Sequence, residues 1–215
     1  MRILFVCTGN ICRSAMAEAF AREMWAEGNG KCEALFSSAG LEAMEGEAPP
    51  EEVVKVMRDL AIEVSGHRAK RLTENDVEES DLILAMAMHN SSRLLTRHQE
   101  AVEKVFTLKE FVLQGEPKGR DLSGHDPEER LRELRRWIRH IEGLDAPLGS
   151  KGLNVQLQSF FLHYFHLYDH RFTIDDPLGQ STEFVRKTAL EIKEAVSKLL
   201  GPDLLALIPE GERAR

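Results

Sequence analysis

The most constraining feature of this sequence is a short apolar run that leads without a break into a cysteine-containing turn and then a helix. The run from Ile3 to Val6 is typical of a central strand that is buried on both faces. The turn reads C-x-G-N-x-C-R-S from Cys7 to Ser14, and residues 14–26 are rich in alanine, glutamate and methionine, which favour a helix. The chain therefore begins as a strand–turn–helix unit with a thiol at the mouth of the turn.

The same alternation of short apolar runs and helical patterns continues along the chain. We predict further strands over 33–39, 81–86 and 104–108, and helices over 51–61, 89–98 and 182–200. Strands that alternate with helices predict an α/β fold, with a doubly wound, parallel, four-stranded sheet and helices on both faces. Ligands of such folds bind beyond the carboxyl ends of the strands, and Cys7 lies at such an end.

One segment departs from this alternation. Between Gly115 and Thr173 lie a turn-rich stretch, an arginine-rich helix (EERLRELRRWIRHIE), a linker with glycine and proline, and an aromatic stretch (FFLHYFHLYDHRF). We interpret residues 115–173 as a helical insertion within a single domain that spans residues 1–215. A chain of 215 residues suits one domain that is enlarged in this way.

Composition and charge restrict the class of protein. A hydrophobic fraction of 42% supports a packed core, and a net charge of −8 argues against nucleic acid as the main partner. No apolar run approaches the ~18 residues of a membrane span, and the N-terminal run is too short for a signal peptide. Three cysteines, Cys7, Cys12 and Cys32, do not make a disulfide framework in a chain of this length. We therefore expect a soluble, cytoplasmic protein that binds neither nucleic acid nor a membrane, of unknown oligomeric state.

The turn after the first strand has the properties of an anion-binding site. Backbone N–H groups of a turn that precedes a helix point into one concavity, where Gly9 is expected to supply conformational freedom. Asn10 tolerates a left-handed conformation and can brace the turn, while Arg13 can grip two phosphate oxygens. The same positive field favours the thiolate form of Cys7, with Ser14 as a hydrogen-bond donor to the sulfur. The pattern predicts a phosphate held against a nucleophilic thiolate, whereas C-x5-R alone would be compatible with a buried structural cysteine.

The stretch CTGNICRSAMAEA resembles the active-site loop of the low-molecular-weight protein tyrosine phosphatase family. The resemblance extends over the chain apart from about 115–173, through SSAG (37–40), GHRAKRLT (66–73), DLILAM (81–86) and DDPLGQS (175–181). The stretches KVFTLKEF (104–111) and DPLGQS are more similar to the bacterial protein arginine phosphatase branch. The resemblance implies a flavodoxin-like fold and hydrolysis of phosphoproteins through a phosphocysteine intermediate, with no cofactor and no metal.

The resemblance also implies roles for the residues at matching positions. Cys7 would be the nucleophile, Arg13 the phosphate clamp, and the aspartate of an Asp-Pro pair the general acid. Ser38 and His67 would support the loop through hydrogen bonds. The phosphate-binding loop itself would comprise Thr8, Gly9, Asn10, Ile11, Cys12 and Ser14.

Two Asp-Pro pairs compete for the role of the acid. Asp126-Pro127 is followed directly by an acidic helix start, so a helix N-cap explains it completely. Asp176-Pro177 precedes the last helix, as in the family. We therefore assign the general acid to Asp176 and expect Asp175 to be a charged loop residue.

The sequence contains evidence for two different phosphorylated residues in the substrate, phosphotyrosine and phosphoarginine. The arginine phosphatases of the family carry threonine at the position of Ile11, whereas tyrosine-directed members carry isoleucine, whose apolar wall suits a phenyl ring. Against phosphotyrosine, Leu178 and Met44 stand where tyrosine-directed members have aromatic residues. We expect phosphotyrosine proteins as substrates, with phosphoarginine proteins as the alternative.

Two other functions fit the sequence less well. A thioredoxin-coupled arsenate reductase shares the loop but needs further cysteines near residues 80–90, where this chain has none. A phosphoprotein-binding module would not need both Cys7 and Asp176.

Three remaining features each have two interpretations. Cys12 is either a small buried residue or the partner of Cys7 in a reversible disulfide. A set of spaced metal-binding side chains is interleaved with aromatic residues, so a packing helix is favoured over a metal site. The arginine-rich helix is expected to present a solvated face, with steering of substrates as the alternative. The metal candidates are His163, His166, Asp169 and His170, and the helix carries Arg130, Arg132, Arg135, Arg136 and Arg139 with Glu128, Glu129 and Glu133.

Overall fold

A four-stranded parallel sheet organises the chain. The computed structural model describes residues 1–28, 33–119, 121–124, 126–139 and 170–205. The strands are β1 (Arg2–Cys7), β2 (Leu35–Gly40), β3 (Leu82–Ala85) and β4 (Val105–Thr107), in the spatial order β2-β1-β3-β4. All three neighbouring pairs are parallel, so the predicted sheet is confirmed.

Seven α-helices connect and cover these strands within the described ranges. They are α1 (Arg13–Gly28), α2 (Glu51–Asp59), α3 (Glu74–Glu79), α4 (Met88–Arg97), α5 (Leu108–Gly119), α6 (Pro127–Arg139) and α7 (Thr182–Leu200). Short 3₁₀ turns span Gln99–Glu103 and His170–Phe172. The prediction for α7 agrees with the structure at both ends, whereas α3 and α5 were not predicted. Residue 115, the expected start of the insertion, falls inside α5.

Alternating side chains of β1 separate two hydrophobic cores. Ile3 and Phe5 lie in the larger core, which includes buried residues of α1, α2, α5 and α7. Leu4 and Val6 lie in the smaller core on the other face of the sheet, with residues of α3 and α4. Because successive side chains of a strand point to opposite faces, β1 is covered on both sides. This arrangement fixes the carboxyl end of β1, where Cys7 lies.

Helix α6 is attached to the rest of the fold through its arginines. The Arg130 side chain is fully buried, and its guanidinium donates to three backbone carbonyl groups, those of Leu204 (2.6 Å), Pro202 (3.0 Å) and Gly119 (3.2 Å). Arg135 donates to the carbonyl groups of Glu103 and Asp81. The expected solvated face is therefore wrong for these two arginines, which donate to backbone carbonyl groups of neighbouring helix ends and connecting segments. Arg132 and Arg136 are exposed, as expected.

Several predicted features lie outside the described residues. These are Cys32, three of the metal candidates (His163, His166 and Asp169) and residues 140–169 of the insertion. Over the ranges that the structure does describe, no helix is both long and apolar enough to cross a membrane.

We predict that Arg130→Met lowers the free energy of unfolding by ~3 kcal/mol, because three carbonyl groups lose a charged donor. Urea denaturation followed by circular dichroism measures this difference. The matched control is Arg132→Met, an exposed position of the same helix, where we expect a change below ~0.5 kcal/mol. Equal losses in the two variants would contradict the role of Arg130.

Candidate active site

The turn between β1 and α1 lies at the carboxyl edge of the sheet, beside the end of β2. Cys7 is the last residue of β1 and Arg13 the first of α1, and both side chains are buried. The backbone N–H groups of Leu41 and Glu42 donate to the carbonyl groups of Cys7 (3.0 Å) and Thr8 (2.9 Å). The two residues that follow β2 therefore hold the first half of the turn in place.

Asn10 is the central brace of this turn. Its backbone is left-handed, with φ of 56°, as predicted. Its Oδ1 accepts a hydrogen bond from the backbone N–H of Lys70 (2.9 Å), a group that can only donate. The orientation of the amide is therefore fixed, and Nδ2 donates to the hydroxyl oxygens of Ser14 (3.0 Å) and Ser38 (2.8 Å).

The direction of these hydrogen bonds determines what Cys7 receives. The Ser14 hydroxyl lies 3.0 Å from the Cys7 sulfur, and its oxygen already accepts from Asn10. The hydroxyl proton of Ser14 is therefore available for the sulfur. The backbone N–H of Asn10 also points to this sulfur, at 3.2 Å. Two donors converge on Cys7, which is the arrangement that stabilises a thiolate.

Further contacts hold the turn from three sides. Ser38 donates its hydroxyl proton to Glu18 (2.5 Å), which keeps the Ser38 oxygen free to accept from Asn10. The ring Nε2 of His67 lies 2.7 Å from the carbonyl oxygen of Asn10 and must carry the proton, because a carbonyl oxygen only accepts. Asn90 donates from its side-chain amide to the Thr8 hydroxyl (3.1 Å).

Glycine is structurally required at Gly40 and not, as predicted, at Gly9. Among the described residues the left-handed glycines are Gly46 and Gly179, and a Cβ on Gly9 would meet only Ile11, at an ordinary 3.6 Å. The expectation for Gly9 is therefore wrong, because Asn10 provides the left-handed bend. A Cβ on Gly40, at the end of β2, would lie 2.7 Å from the Thr8 carbonyl oxygen and 3.0 Å from the Asn10 nitrogen. Glycine is required there by close backbone approach.

Arg13 and Asp176 form an ion pair at the mouth of the turn. One terminal nitrogen of Arg13 contacts the Asp176 carboxylate, and the other donates to the Ile174 carbonyl (3.2 Å). The Nε of Arg13 is buried without a hydrogen-bond partner among the described groups. The other carboxylate oxygen of Asp176 accepts from the Leu178 N–H (3.2 Å), and the side chain is half-exposed. The structure thus brings Asp176 to the turn between β1 and α1.

The two other aspartates considered above, Asp126 and Asp175, have different surroundings from Asp176. Asp126 caps helix α6, because its carboxylate accepts the backbone N–H of Glu129 at 2.8 Å. This is the structural role predicted for Asp126. Asp175 is exposed beside Asp176, in the position expected of a charged loop residue.

Cys12 lies on the buried side of the turn. Burial, followed by the negative charges of Asp176 and Cys7, raises the pKa of the Cys12 thiol to about 12. Cys12 therefore stays protonated at neutral pH. Both Cys7 and Cys12 are free thiols, and the two interpretations of Cys12 stay open.

The three residues expected to contact the leaving group differ in exposure. Met44 and Leu178 are largely exposed, at 69% and 53%, whereas Ile11 is only 8% exposed and packs in the larger core. Met44 and Leu178 therefore offer more contact surface than Ile11 does. An effect of Ile11 on specificity would act through the few atoms that reach the surface.

Sequence reasoning missed three residues next to the turn: Glu18, His89 and Asn90. His89 lies in the first turn of α4, where partial burial and the charges of Arg13 and Arg93 lower its pKa. It follows β3 at the same sheet edge as Cys7, so its position after a central strand was the available signal. Glu18 had no such signal, because its role depends on the fold that brings Ser38 to it. No cluster of His, Cys, Asp and Glu side chains suited to a metal occurs within the described ranges.

Comparisons with known proteins agree with this geometry. The model of the family described as "Low molecular weight phosphotyrosine protein phosphatase" matches residues 2–158. The chain is 37% identical over 111 residues to a protein-arginine-phosphatase of Geobacillus stearothermophilus, covering 52% of this chain and 71% of that protein. It is 38% identical over 109 residues to the probable low molecular weight protein-tyrosine-phosphatase EpsP of Ralstonia solanacearum, covering 51% and 71%.

A solved structure extends the similarity beyond the aligned sequence. The crystal structure of a low molecular weight protein tyrosine phosphatase from T. tengcongensis superposes with a TM-score of 0.62 at 30% sequence identity. The superposition covers 93% of this chain and 97% of that one. The fold is therefore similar over most of the chain to that of a protein of this description.

We predict that Asp176→Asn strengthens the binding of inorganic phosphate about fivefold, or ~1 kcal/mol, because Arg13 loses a competing anion. Isothermal titration calorimetry with phosphate measures the change in Kd. Asp175→Asn is the matched control, since it removes the same charge from the adjacent exposed position. Unchanged or weaker phosphate binding in Asp176→Asn, or an equal gain in the control, would contradict the competition.

Proposed function

Because this chain belongs to the low molecular weight phosphotyrosine protein phosphatase family, we propose that it hydrolyses phosphorylated proteins through a phosphocysteine on Cys7. Members of this family are cysteine-dependent phosphatases, and this chain is a hydrolase of that kind. The observation that carries the residue assignment is the meeting of three groups from distant parts of the chain. A doubly hydrogen-bonded sulfur, a buried guanidinium and a half-exposed carboxylate lie around one turn.

The proposed first step transfers the phosphoryl group to Cys7. The thiolate attacks phosphorus, the bond to the leaving oxygen or nitrogen breaks, and Asp176 in its protonated form gives its proton to that atom. Arg13 holds the phosphoryl oxygens in this step, including with the Nε that has no partner in the described structure. For this to occur, Arg13 exchanges its contact with Asp176 for the phosphoryl group.

The proposed second step releases phosphate. Asp176, now a carboxylate, takes a proton from water, whose oxygen attacks the phosphorus of the phosphocysteine. The phosphorus–sulfur bond breaks and the thiolate of Cys7 returns. The Ser14 hydroxyl and the Asn10 N–H stabilise the departing sulfur through the hydrogen bonds that they already form.

We propose phosphotyrosine as the preferred residue of the substrate. Its support is Ile11 in the turn, whose apolar side chain suits a phenyl ring better than a charged guanidinium. Phosphoarginine is the second candidate, since relatives with that activity in their names are as similar to this chain as the tyrosine-directed ones. The expected setting is the cytoplasm, with phosphorylated proteins as the partners.

We predict that Asp176→Ala lowers kcat about a hundredfold or more on phenyl phosphate, whose leaving group needs a proton, and much less on p-nitrophenyl phosphate. Steady-state kinetics on both esters measure the difference. Asp126→Ala is the control and should keep both rates while losing ~1 kcal/mol of stability through the lost cap. Cys7→Ser should abolish turnover on both esters. The reverse ranking of the two aspartate variants would move the acid to the other Asp-Pro pair.

A second prediction concerns Ile11. We expect Ile11→Thr to raise the ratio of phosphoarginine to phosphotyrosine hydrolysis about tenfold, or ~1.4 kcal/mol, because the hydroxyl offers a polar partner to the guanidinium. The ratio of kcat/KM values on matched peptides removes any general loss of activity from changing a largely buried residue. Ile11→Val, which stays apolar, should keep the wild-type ratio. An unchanged ratio in Ile11→Thr would show that this position does not set specificity.

A further inference from the structure

A small cavity opens beside the phosphate-binding turn, between the loop that carries Asp176 and the start of α2. Its volume is about 140 Å³. At roughly 30 Å³ per water molecule, this is room for about four or five water-sized groups in a row. Four parts of the chain line the cavity. They are Cys12 of the turn, residues 177–180 of the loop that carries Asp176, Pro50, Glu52 and Val53 at the start of α2, and Val185 of α7.

The cavity is separate from the phosphate cradle but lies next to it. Cys12 is the neighbour of Arg13, and Leu178 follows Asp176 by two residues. Consecutive Cα atoms are about 3.8 Å apart, so one peptide can reach both places. The exposed residues of the lining, Glu52 and residues 178–180, put the mouth of the cavity at the surface beside the loop that carries Asp176. We infer that the side chain next to the phosphorylated residue meets this mouth.

The lining of the cavity suits a side chain with an apolar stem and a cationic head. Val53, Pro177 and Val185 are buried apolar residues that contact a stem, whereas Glu52 and Gln180 are exposed. No lysine or arginine lines the cavity among the described residues. Lysine and arginine side chains bind in this way, with the methylene groups on apolar surface and the charge at its edge.

Among the described residues that line the cavity, Glu52 is the one with a charged side chain. Residues 41–54 contain no lysine or arginine, and their glutamates are Glu42, Glu45, Glu47, Glu51 and Glu52. Glu42 is paired with Arg93, but Glu47, Glu51 and Glu52 have no ion pair within the described part of the chain. Glu47 is close enough to Cys12 to act on it electrostatically. A positively charged side chain would therefore be attracted to the mouth of the cavity.

We propose that this cavity is a second substrate subsite, which takes a lysine or arginine side chain adjacent to the phosphorylated residue. The proposal rests on the proposed function, because it requires that a phosphorylated peptide be bound against Cys7. It adds a charge preference for the substrate sequence, independent of which residue carries the phosphate.

The test compares phosphotyrosine peptides that differ only in the residue beside the phosphotyrosine, which is arginine, leucine or glutamate, placed on either side. We expect the arginine peptide to have a kcat/KM about tenfold above that of the glutamate peptide, in at least one of the two placements. The preference should shrink as ionic strength rises, since it depends on charges at an exposed edge. Hydrolysis of p-nitrophenyl phosphate, which has no neighbouring residue, normalises each preparation.

Variants of Glu52 separate this subsite from general electrostatics. Glu52→Gln should remove most of the arginine preference, and Glu52→Lys should turn it into a preference for the glutamate peptide. Glu23→Gln is the matched control, since it removes one exposed glutamate on α1, far from the cavity lining, and should keep the wild-type ratio.

Two sets of results would overturn the proposal, and they are distinguishable. Equal rates on the three peptides, a preference for leucine, or an arginine preference that Glu52→Gln and Glu52→Lys leave unchanged would contradict the subsite alone. Failure of the wild-type protein to hydrolyse p-nitrophenyl phosphate and every peptide would contradict the proposed function and, with it, the subsite.

Discussion

The hydrogen bond from the Lys70 backbone N–H to the Asn10 side chain is the interaction on which the geometry of the site depends. It fixes which end of the amide faces Ser14 and Ser38, and Ser14 is then left with its proton for the Cys7 sulfur. The hydrogen bonding of the Cys7 sulfur, the proposed nucleophile, is therefore set by the orientation of the Asn10 side chain. Because the donor comes from the segment after His67, the site requires the tertiary structure and cannot form from the turn alone.

Positive and negative groups lie on different sides of this turn. This separation suits a site that binds a phosphoryl group on one side and carries carboxylates on the other. The floor of the turn carries Arg13 and converging N–H groups, which suit a phosphoryl group. In residues 175–181, around Asp176, and in residues 41–50, before α2, all of the charged side chains are carboxylates. The two signs meet in the Arg13–Asp176 pair. Cys12, beneath them, stays protonated because burial and both neighbouring anions oppose its ionisation.

Sequence reasoning identified the strands and α7 because their apolar spacing is regular and their ends are marked. It missed α3, which has one buried apolar residue, Val77, and α5, whose first residues continue the apolar run of β4. Each is directly preceded by a threonine, and the acidic residue three positions after that threonine exchanges hydrogen bonds with it. These capping boxes are the sequence pattern from which the starts of α3 and α5 could have been predicted. The burial of Arg130 had none, because it depends on carbonyl groups more than seventy residues away.

The ion pair between Arg13 and Asp176 joins residues that are 163 positions apart. During synthesis the chain emerges from its N-terminus at about 5–20 residues per second, so Asp176 follows Arg13 by roughly 8 to 30 seconds. The residues that form and brace the turn, from Cys7 to Asn90, are all made long before Asp176. A ribosome-bound chain thus acquires the groups proposed to hold phosphate well before Asp176, the proposed general acid. Catalytic competence on unactivated esters is therefore among the last properties that the growing polypeptide gains.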